Sequence, residues 1–290
     1  ILRFKKSINK DKTKNMNNLE AYKMDGLGND FIIFDNRKNS ISLSKDQIIK
    51  IADRNNIGCD QVIFIDKDSS NDPFLKFYNS DGGEIAACGN GSRCVGYLLM
   101  KENQTKNIIL KTQVGTLKAE LKNENLVCIN MGQPNFEWDK IPLLNKMDYK
   151  NLKIKINDEN GKEIIGGFAL SVGNPHIVFF VEDLNKFNIK KIGPVIENHN
   201  YFPEKCNVTL AKIKNKKHAI VKVWERGAGI TKACGTAACA AAVAGAALML
   251  NEKKIDIEFS EGLLNIDWKS DNHIYMTGKV SDVKKIIVNI

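Results

Sequence analysis

Short runs rich in Ile, Val, Phe and Tyr recur along the chain. Gly, Asn and Asp bound them, which predicts β-strands. In the first half they lie at Leu19–Met24, Phe31–Asp35, Gln61–Asp66 and Phe74–Asn79, then at Ile108–Thr112, Thr116–Leu121 and Leu126–Met131. Ser44–Arg54 has helical character, with Ser44 as N-cap and Gln47 completing a capping box. A second helix is expected to start near Cys88 and run to about Glu102.

The second half follows the same plan. Strand-like runs occupy Leu152–Ile156, Phe168–Val172, Ile177–Val181, Asn207–Ile213 and Ala219–Trp224, and later Ile255–Phe259, Leu263–Trp268 and Ile274–Thr277. Between the two groups, residues 233–250 run without a charge. Eighteen residues is the lower edge for crossing a bilayer. Nine of these are Ala and two are Gly, and such small side chains gain little from lipid. They favour a helix that strands approach closely from every side, so a buried soluble helix is expected and no membrane partner. Each half therefore reads as a mixed sheet wrapped on one central helix, the α/β (α+β) class. The turn Gly132-Gln133-Pro134-Asn135 marks the boundary, giving domains over 19–132 and 133–279.

A local repeat fits the duplication. Residues 87–94 read ACGNGSRC and residues 233–239 read ACGTAAC, with lead cysteines Cys88 and Cys234 at the start of the two expected core helices. A cysteine there sits at the positive end of the helix dipole, which is expected to lower its pKa. The amides of Gly89, Asn90, Gly235 and Thr236 would lack intrahelical partners and could hold a carboxylate. Two such helix ends facing one another suit proton transfer between the two faces of an α-carbon, one sulfur taking the proton while the other gives. Cys59, Cys94, Cys128, Cys206 and Cys239 read instead as small buried hydrophobes.

Composition narrows the alternatives. The chain of 290 residues carries a formal net charge of +9, of which residues 1–18 contribute +5. That stretch reads as a mobile N-terminal extension, with a natural start near Met16 and no apolar segment of a secretory signal, so a cytoplasmic location is expected. Arginine occurs only at positions 3, 37, 54, 93 and 226, and the basicity is scattered lysine. This argues against a nucleic-acid surface. The seven cysteines form no Cys-x-x-Cys pair and the four histidines are dispersed, which argues against a disulfide framework and a zinc site. Because arginine is rare, Arg226 beside Glu225 stands out as a carboxylate grip, with Glu225 holding an ammonium. A surface ion pair is the competing reading of those two.

Four segments carry a resemblance: LGNDF (27–31), NSDGGEIAACGNGSRC (79–94), GNPH (173–176) and ERGAGITKACGTAAC (225–239). With them the chain, from about Leu19 onward, resembles the diaminopimelate epimerases. The resemblance implies two pseudo-symmetric domains, each a curled mixed sheet around a helix, with residues 280–290 crossing back to the first. It implies that Cys88 and Cys234 are the acid/base thiols, supported by His176 and Glu225. It implies that Gly89, Asn90, Gly235 and Thr236 hold the carboxylate at the reacting carbon. Asn29, Gln61, Asn79, Asn174, Asn207, Glu225 and Arg226 fall where the family contacts substrate. The implied reaction interconverts LL- and meso-diaminopimelate, in lysine and peptidoglycan precursor synthesis, without pyridoxal phosphate or metal. The implied partner is that small molecule, with a homodimer the one protein assembly considered. Ala237 departs from the Gly usual in the family, as do Asp25 and Cys59 from its usual residues.

The nearest alternative is a proline or hydroxyproline racemase of the same fold, whose first motif usually has His where Asn90 stands. A thiol hydrolase pairing Cys88 with His176 would leave the repeat unexplained. A non-enzymatic binding module would require both lead cysteines to be dispensable. No phosphate-binding glycine motif supports nucleotide binding.

Overall fold

The computed structural model describes residues 18–157 and 161–290. The extension read over residues 1–18 lies outside them, apart from Asn18, which opens the first strand.

The first half runs β1 (Asn18–Asp25), β2 (Asp30–Asp35), α1 (Lys45–Ala52), β3 (Gln61–Lys67), β4 (Pro73–Asn79), β5 (Glu84–Ile85), α2 (Gly89–Asn103), β6 (Asn107–Thr112), β7 (Gly115–Asn123) and β8 (Leu126–Asn130). The hairpin β9 (Ile154–Asn157) and β10 (Glu163–Gly166) follows. Then come β11 (Phe168–Ser171), β12 (Pro175–Phe180), α3 (Ile189–Glu197), β13 (Asn207–Asn215), β14 (His218–Glu225) and β15 (Gly229–Ile230). The chain ends with α4 (Gly235–Ala247), β16 (Lys254–Phe259), β17 (Gly262–Trp268), β18 (Ile274–Lys279) and β19 (Lys284–Asn289).

The pairing repeats strand for strand. β1 and β2 are antiparallel, β2 and β3 parallel, β3 and β4 antiparallel, β4 and β6 parallel, and β6, β7 and β8 antiparallel. β11, β12, β13, β14, β16, β17 and β18 follow the same sequence of senses. Antiparallel pairing of β8 with β18 joins the two half-sheets, and β19 lies antiparallel to β1. The architecture is thus two pseudo-symmetric α+β halves, each a mixed sheet curled on a helix.

Both faces of the inner strands are covered, which explains the unbroken apolar runs. Side chains alternate across a strand. Phe31, Ile33, Ile63 and Ile65 accordingly pack toward α2, and Ile32, Phe34, Val62 and Phe64 pack toward α1. In the second half α4 fills the concave face and α3 covers the other. α4 is alanine-rich and buried through most of its length, as expected of a helix enclosed by strands. Among the described residues no helix is long and apolar enough to cross a membrane.

Ser44 caps α1 with both hydrogen bonds of the expected box. Two elements depart from the sequence reading. The run Leu152–Ile156 does not join the mixed sheet. Its strand pairs only with β10, while Leu152, Ile154 and Ile164 pack into the cluster around α3. The helix α3 itself carries no clear sequence signal, because Gly193 and Pro194 lie inside it. Gly193 is there for packing: a Cβ would meet Trp224 Cγ at 2.6 Å.

Candidate active site

Cys88 and Cys234 are the N-cap residues of α2 and α4, with nearly the same extended backbone (φ −142°, ψ 115° and φ −134°, ψ 117°). The Gly91 amide donates to the Cys88 sulfur at 3.4 Å, and Asn29 Oδ1 lies 4.0 Å from it. The Cys234 sulfur is 3.4 Å from the Thr236 hydroxyl and shares a hydrogen bond with the Glu225 carboxyl. The two helix ends meet at the sheet junction. Asn90 Nδ2 donates to Ala233 O at 3.5 Å, and a Cβ on Gly89 or on Gly235 would come within 2.8 Å of Met276 on β18. Gly at these positions lets Met276 pack against both helix ends.

Electrostatics departs from the helix-dipole expectation. Burial pushes the Cys88 thiol up to about 11, against the pull of the Gly91 amide, and the Glu225 charge adds to the rise while Arg93 opposes it. Burial and then Glu225 raise Cys234 well above the ordinary thiol value. Removing a thiolate from water outweighs the amides at the helix end. Burial also raises the Glu225 carboxyl, against the opposing pull of the neighbouring Thr231 and Cys234 side chains. Glu225 therefore faces both sulfurs, one by contact and the other through its field.

Corresponding polar residues frame this centre. In the first half Gln61 Nε2 donates to Asn79 Oδ1 at 3.0 Å across β3 and β4, and Asn29 Nδ2 donates to Asp60 at 2.9 Å. In the second half Asn207 donates to Pro175 O at 2.9 Å and accepts from the Arg226 amide at 3.0 Å. Asn174 Nδ2 lies 3.4 Å from the Thr236 hydroxyl. The Arg226 guanidinium donates to Glu204 O at 2.9 Å. The surface Glu225–Arg226 pair is not what forms: Glu225 is half-buried beside Cys234, and the Arg226 guanidinium reaches Glu204 O.

His176 is fully buried and bonds through Nε2 to Asn174 Oδ1 at 2.9 Å, so it reaches the site through Asn174. Burial, helped by Arg226, pushes its pKa down to about 3, which leaves a neutral ring with Nε2 as the donor. The Cys88–His176 couple of a thiol hydrolase is therefore not assembled. Cys59, Cys94, Cys128, Cys206 and Cys239 are free and buried. Among the described residues no group of three or more His, Cys, Asp and Glu is placed to hold a metal.

Three residues around the site escaped the sequence reading. Asp60 holds Asn29 and is itself gripped by Arg54. Glu197 accepts from Trp224 Nε1 at 2.7 Å and from the Gly227 amide at 2.9 Å, bracketing Glu225 and Arg226. Arg93 donates to Asn90 Oδ1 at 3.0 Å. The rarity of arginine, which singled out Arg226, applied equally to Arg93, five residues after Cys88.

Two duplicated halves, each with a cysteine at its core-helix terminus, are the arrangement to be placed among known proteins. The structural neighbours agree on the fold. They include a hydroxyproline epimerase from Agrobacterium vitis (TM-score 0.65, 12% identity, 95% of this chain and 94% of that one). A PhzF-family phenazine biosynthesis protein from Enterococcus faecalis is another (TM-score 0.64, 15% identity, 94% and 100%). Sequence narrows the class. The family model described as diaminopimelate epimerase matches residues 21–137 and 168–283. Relatives named diaminopimelate epimerase include one from Pelagibacter ubique, 54% identical over 94% of this chain and 99% of its own. Another, from a Caulobacter species, is 40% identical over 89% and 93%. The chain belongs to the diaminopimelate epimerase family, and is an isomerase.

Proposed function

We propose that this chain interconverts LL- and meso-diaminopimelate by proton transfer at one α-carbon, with Cys88 and Cys234 as the acid/base pair and no pyridoxal phosphate or metal. The carrying observation is the convergence of two cysteine-capped helix ends at the β8–β18 junction, tied by Asn90 to Ala233. One sulfur, as thiolate, takes the α-hydrogen and leaves the electron pair on the substrate. The thiol on the other face returns a proton to that carbon, with inversion. The reverse reaction exchanges their roles.

The α-hydrogen is a weak acid, so charge building on the substrate carboxylate must be met. In this reading the amides of Gly89, Asn90, Gly235 and Thr236 meet it without reorganising. The raised thiol values support a pair that shares its protons, since one thiolate in a buried site disfavours a second. Glu225 at Cys234 can hold or release a proton as that sulfur changes state. Asn29, Gln61, Asn79, Asn174, Asn207 and Arg226 suit the distal, doubly charged end of a long amino acid better than a proline ring. His176 orients Asn174. Seven free thiols suit a reducing compartment, which supports a cytoplasmic role in lysine and peptidoglycan precursor synthesis.

The test is incubation with LL-diaminopimelate in D₂O without added cofactor. Deuterium at one α-carbon with appearance of the meso isomer is expected. Labelling of proline or hydroxyproline instead would transfer the reading to the racemases of this fold.

A further inference from the structure

The first half holds a charge that the fold leaves nearly unanswered. Arg93 is fully buried, and it is the one lysine or arginine among the described residues to be so. Its Nη1 donates to Asn90 Oδ1 at 3.0 Å and lies 3.6 Å from Met276 Sδ, while Nε and Nη2 have no hydrogen-bond partner. Among the described residues no carboxylate is paired with it. The acidic groups facing it are the thiols of Cys94, Cys88 and Cys239, and Asp25, whose carboxyl burial holds above its ordinary value. Gly278 on β18 makes room for it, since a Cβ there would sit 3.1 Å from the guanidinium carbon. A buried cation without a counter-ion is strongly destabilising. It is out of place in a core that packs its other large side chains as hydrocarbons.

The pseudo-symmetry shows what it adds. Arg93 is the fifth residue after Cys88, and the fifth after Cys234 is Cys239, a neutral thiol in the same helix position. Glu225 has the opposite asymmetry. Gln61 pairs with Asn79 on β3–β4, and the equivalent ends of β13 and β14 carry Asn207 and Glu225. The duplicated site is thus charged unequally: a cation lies behind Cys88 and a carboxyl lies on Cys234.

We propose that Arg93 is a positioning residue with two effects: it fixes the Asn90 side chain between the two helix ends, and it polarises the site so that the single negative charge of the pair rests on Cys88 while Cys234 keeps its proton. The inference rests on the proposed two-thiol reaction. The groups facing Cys88 are Asn29, Glu225, Arg93 and the first amides of α2, and those facing Cys234 are Glu225, Thr236 and the Ala237 amide of α4. Of the charged ones, Arg93 favours the anion at Cys88 and Glu225 disfavours it at both sulfurs.

The test reads the two cysteines separately and needs no turnover. The full chain is treated with iodoacetamide across pH, and alkylation of Cys88 and Cys234 is followed by peptide mass spectrometry. In the unmodified protein the pH midpoint at Cys88 is expected below that at Cys234; the reverse order overturns the proposal. Arg93→Met is expected to raise the Cys88 midpoint by at least about one pH unit, a tenfold slower alkylation at fixed pH, and to leave Cys234 unmoved. An unchanged Cys88 midpoint, or an equal shift of both, overturns it. Arg93→Lys keeps the charge but not the planar fork, so it should hold the Cys88 midpoint while raising KM for diaminopimelate about tenfold. A purely structural arginine would lower thermal stability in both variants and move neither the Cys88 midpoint nor KM. Should Arg93→Met not fold, the order of midpoints in the unmodified protein and the Arg93→Lys comparison still decide. Failure of deuterium labelling with the alkylation pattern intact would count against the reaction and not against Arg93.

Discussion

Asn90, in the first turn of α2, donates its side-chain amide to the carbonyl of Ala233, the residue before Cys234. A residue expected to bind substrate through its backbone thus also joins the two halves through its side chain. The bond spans the same junction that β8 and β18 close at the level of the sheet. The first turns of α2 and α4 are therefore held side by side.

The first prediction concerns the sulfurs. Cys88→Ala and Cys234→Ala should each lower epimerisation by at least about 10³-fold, near the upper range for losing a positioned acid or base. Each removes one sulfur at an N-cap and leaves the core clusters in place, so circular dichroism and thermal midpoints should stay near those of the parent. Substantial turnover by either variant would remove the two-base mechanism.

Arg226 should act on binding. Its backbone amide is fixed by Asn207 and its guanidinium reaches Glu204 O, leaving further donors for a carboxylate. Lysine at this position supplies a point charge and no fork. Arg226→Lys is expected to raise KM about tenfold or more with a smaller change in kcat. Unchanged steady-state kinetics would refute the assignment.

Glu197 and Gly193 should matter although neither belongs to the binding set. Gly193 lets Trp224 lie against α3, and the indole then donates to Glu197. In Gly193→Ala the added methyl would meet Trp224 Cγ and Cβ, the rigid root of that side chain. A loss of about 1–3 kcal/mol is expected from overpacking. Because Glu225 and Arg226 follow Trp224 directly, KM should rise as well. Urea unfolding together with kinetics checks this, and a variant as stable and as active as the parent would contradict it.

The sequence showed the strands of both half-sheets wherever they are buried on both faces, because an unbroken apolar run such as Phe31–Phe34 has few other uses. The capping box at Ser44 and the paired Ala-Cys-Gly segments were equally plain. What stayed hidden was of two kinds. α3 was obscured by Gly193, which makes room for Trp224, and by Pro194, neither of which favours a helix. Among the supports of the site, Asp60 and Glu197 act through hydrogen bonds to residues 27 to 31 positions away, which no local pattern marks, and Arg93 acts within its own helix, where nothing in the sequence shows that its side chain is buried. The thiol pKa went the other way from expectation for a related reason: the helix end is visible in sequence, but the burial that outweighs it comes from core residues far apart in the chain.

Acid sensitivity should trace in part to His176. Its ring is buried and neutral, held down to about 3 in the fold by burial against about 6.5 in the unfolded chain. Between those values the unfolded state binds a proton that the folded state refuses. The stability this ring contributes is complete above about pH 6.5 and is lost as pH falls toward 3, at up to about 1.4 kcal/mol per pH unit. Glu225 acts in the opposite sense: its raised value lets the folded state take up a proton first, so folding gains as pH falls through that raised value and stops gaining below the ordinary carboxyl value. The net slope of the parent mixes the two, and a variant separates them. His176→Gln keeps a neutral amide within reach of Asn174 and cannot titrate. Urea unfolding at pH 7, 6, 5 and 4 should show a shallower decline for His176→Gln than for the parent. Parallel slopes would mean that His176 does not remain neutral in the fold.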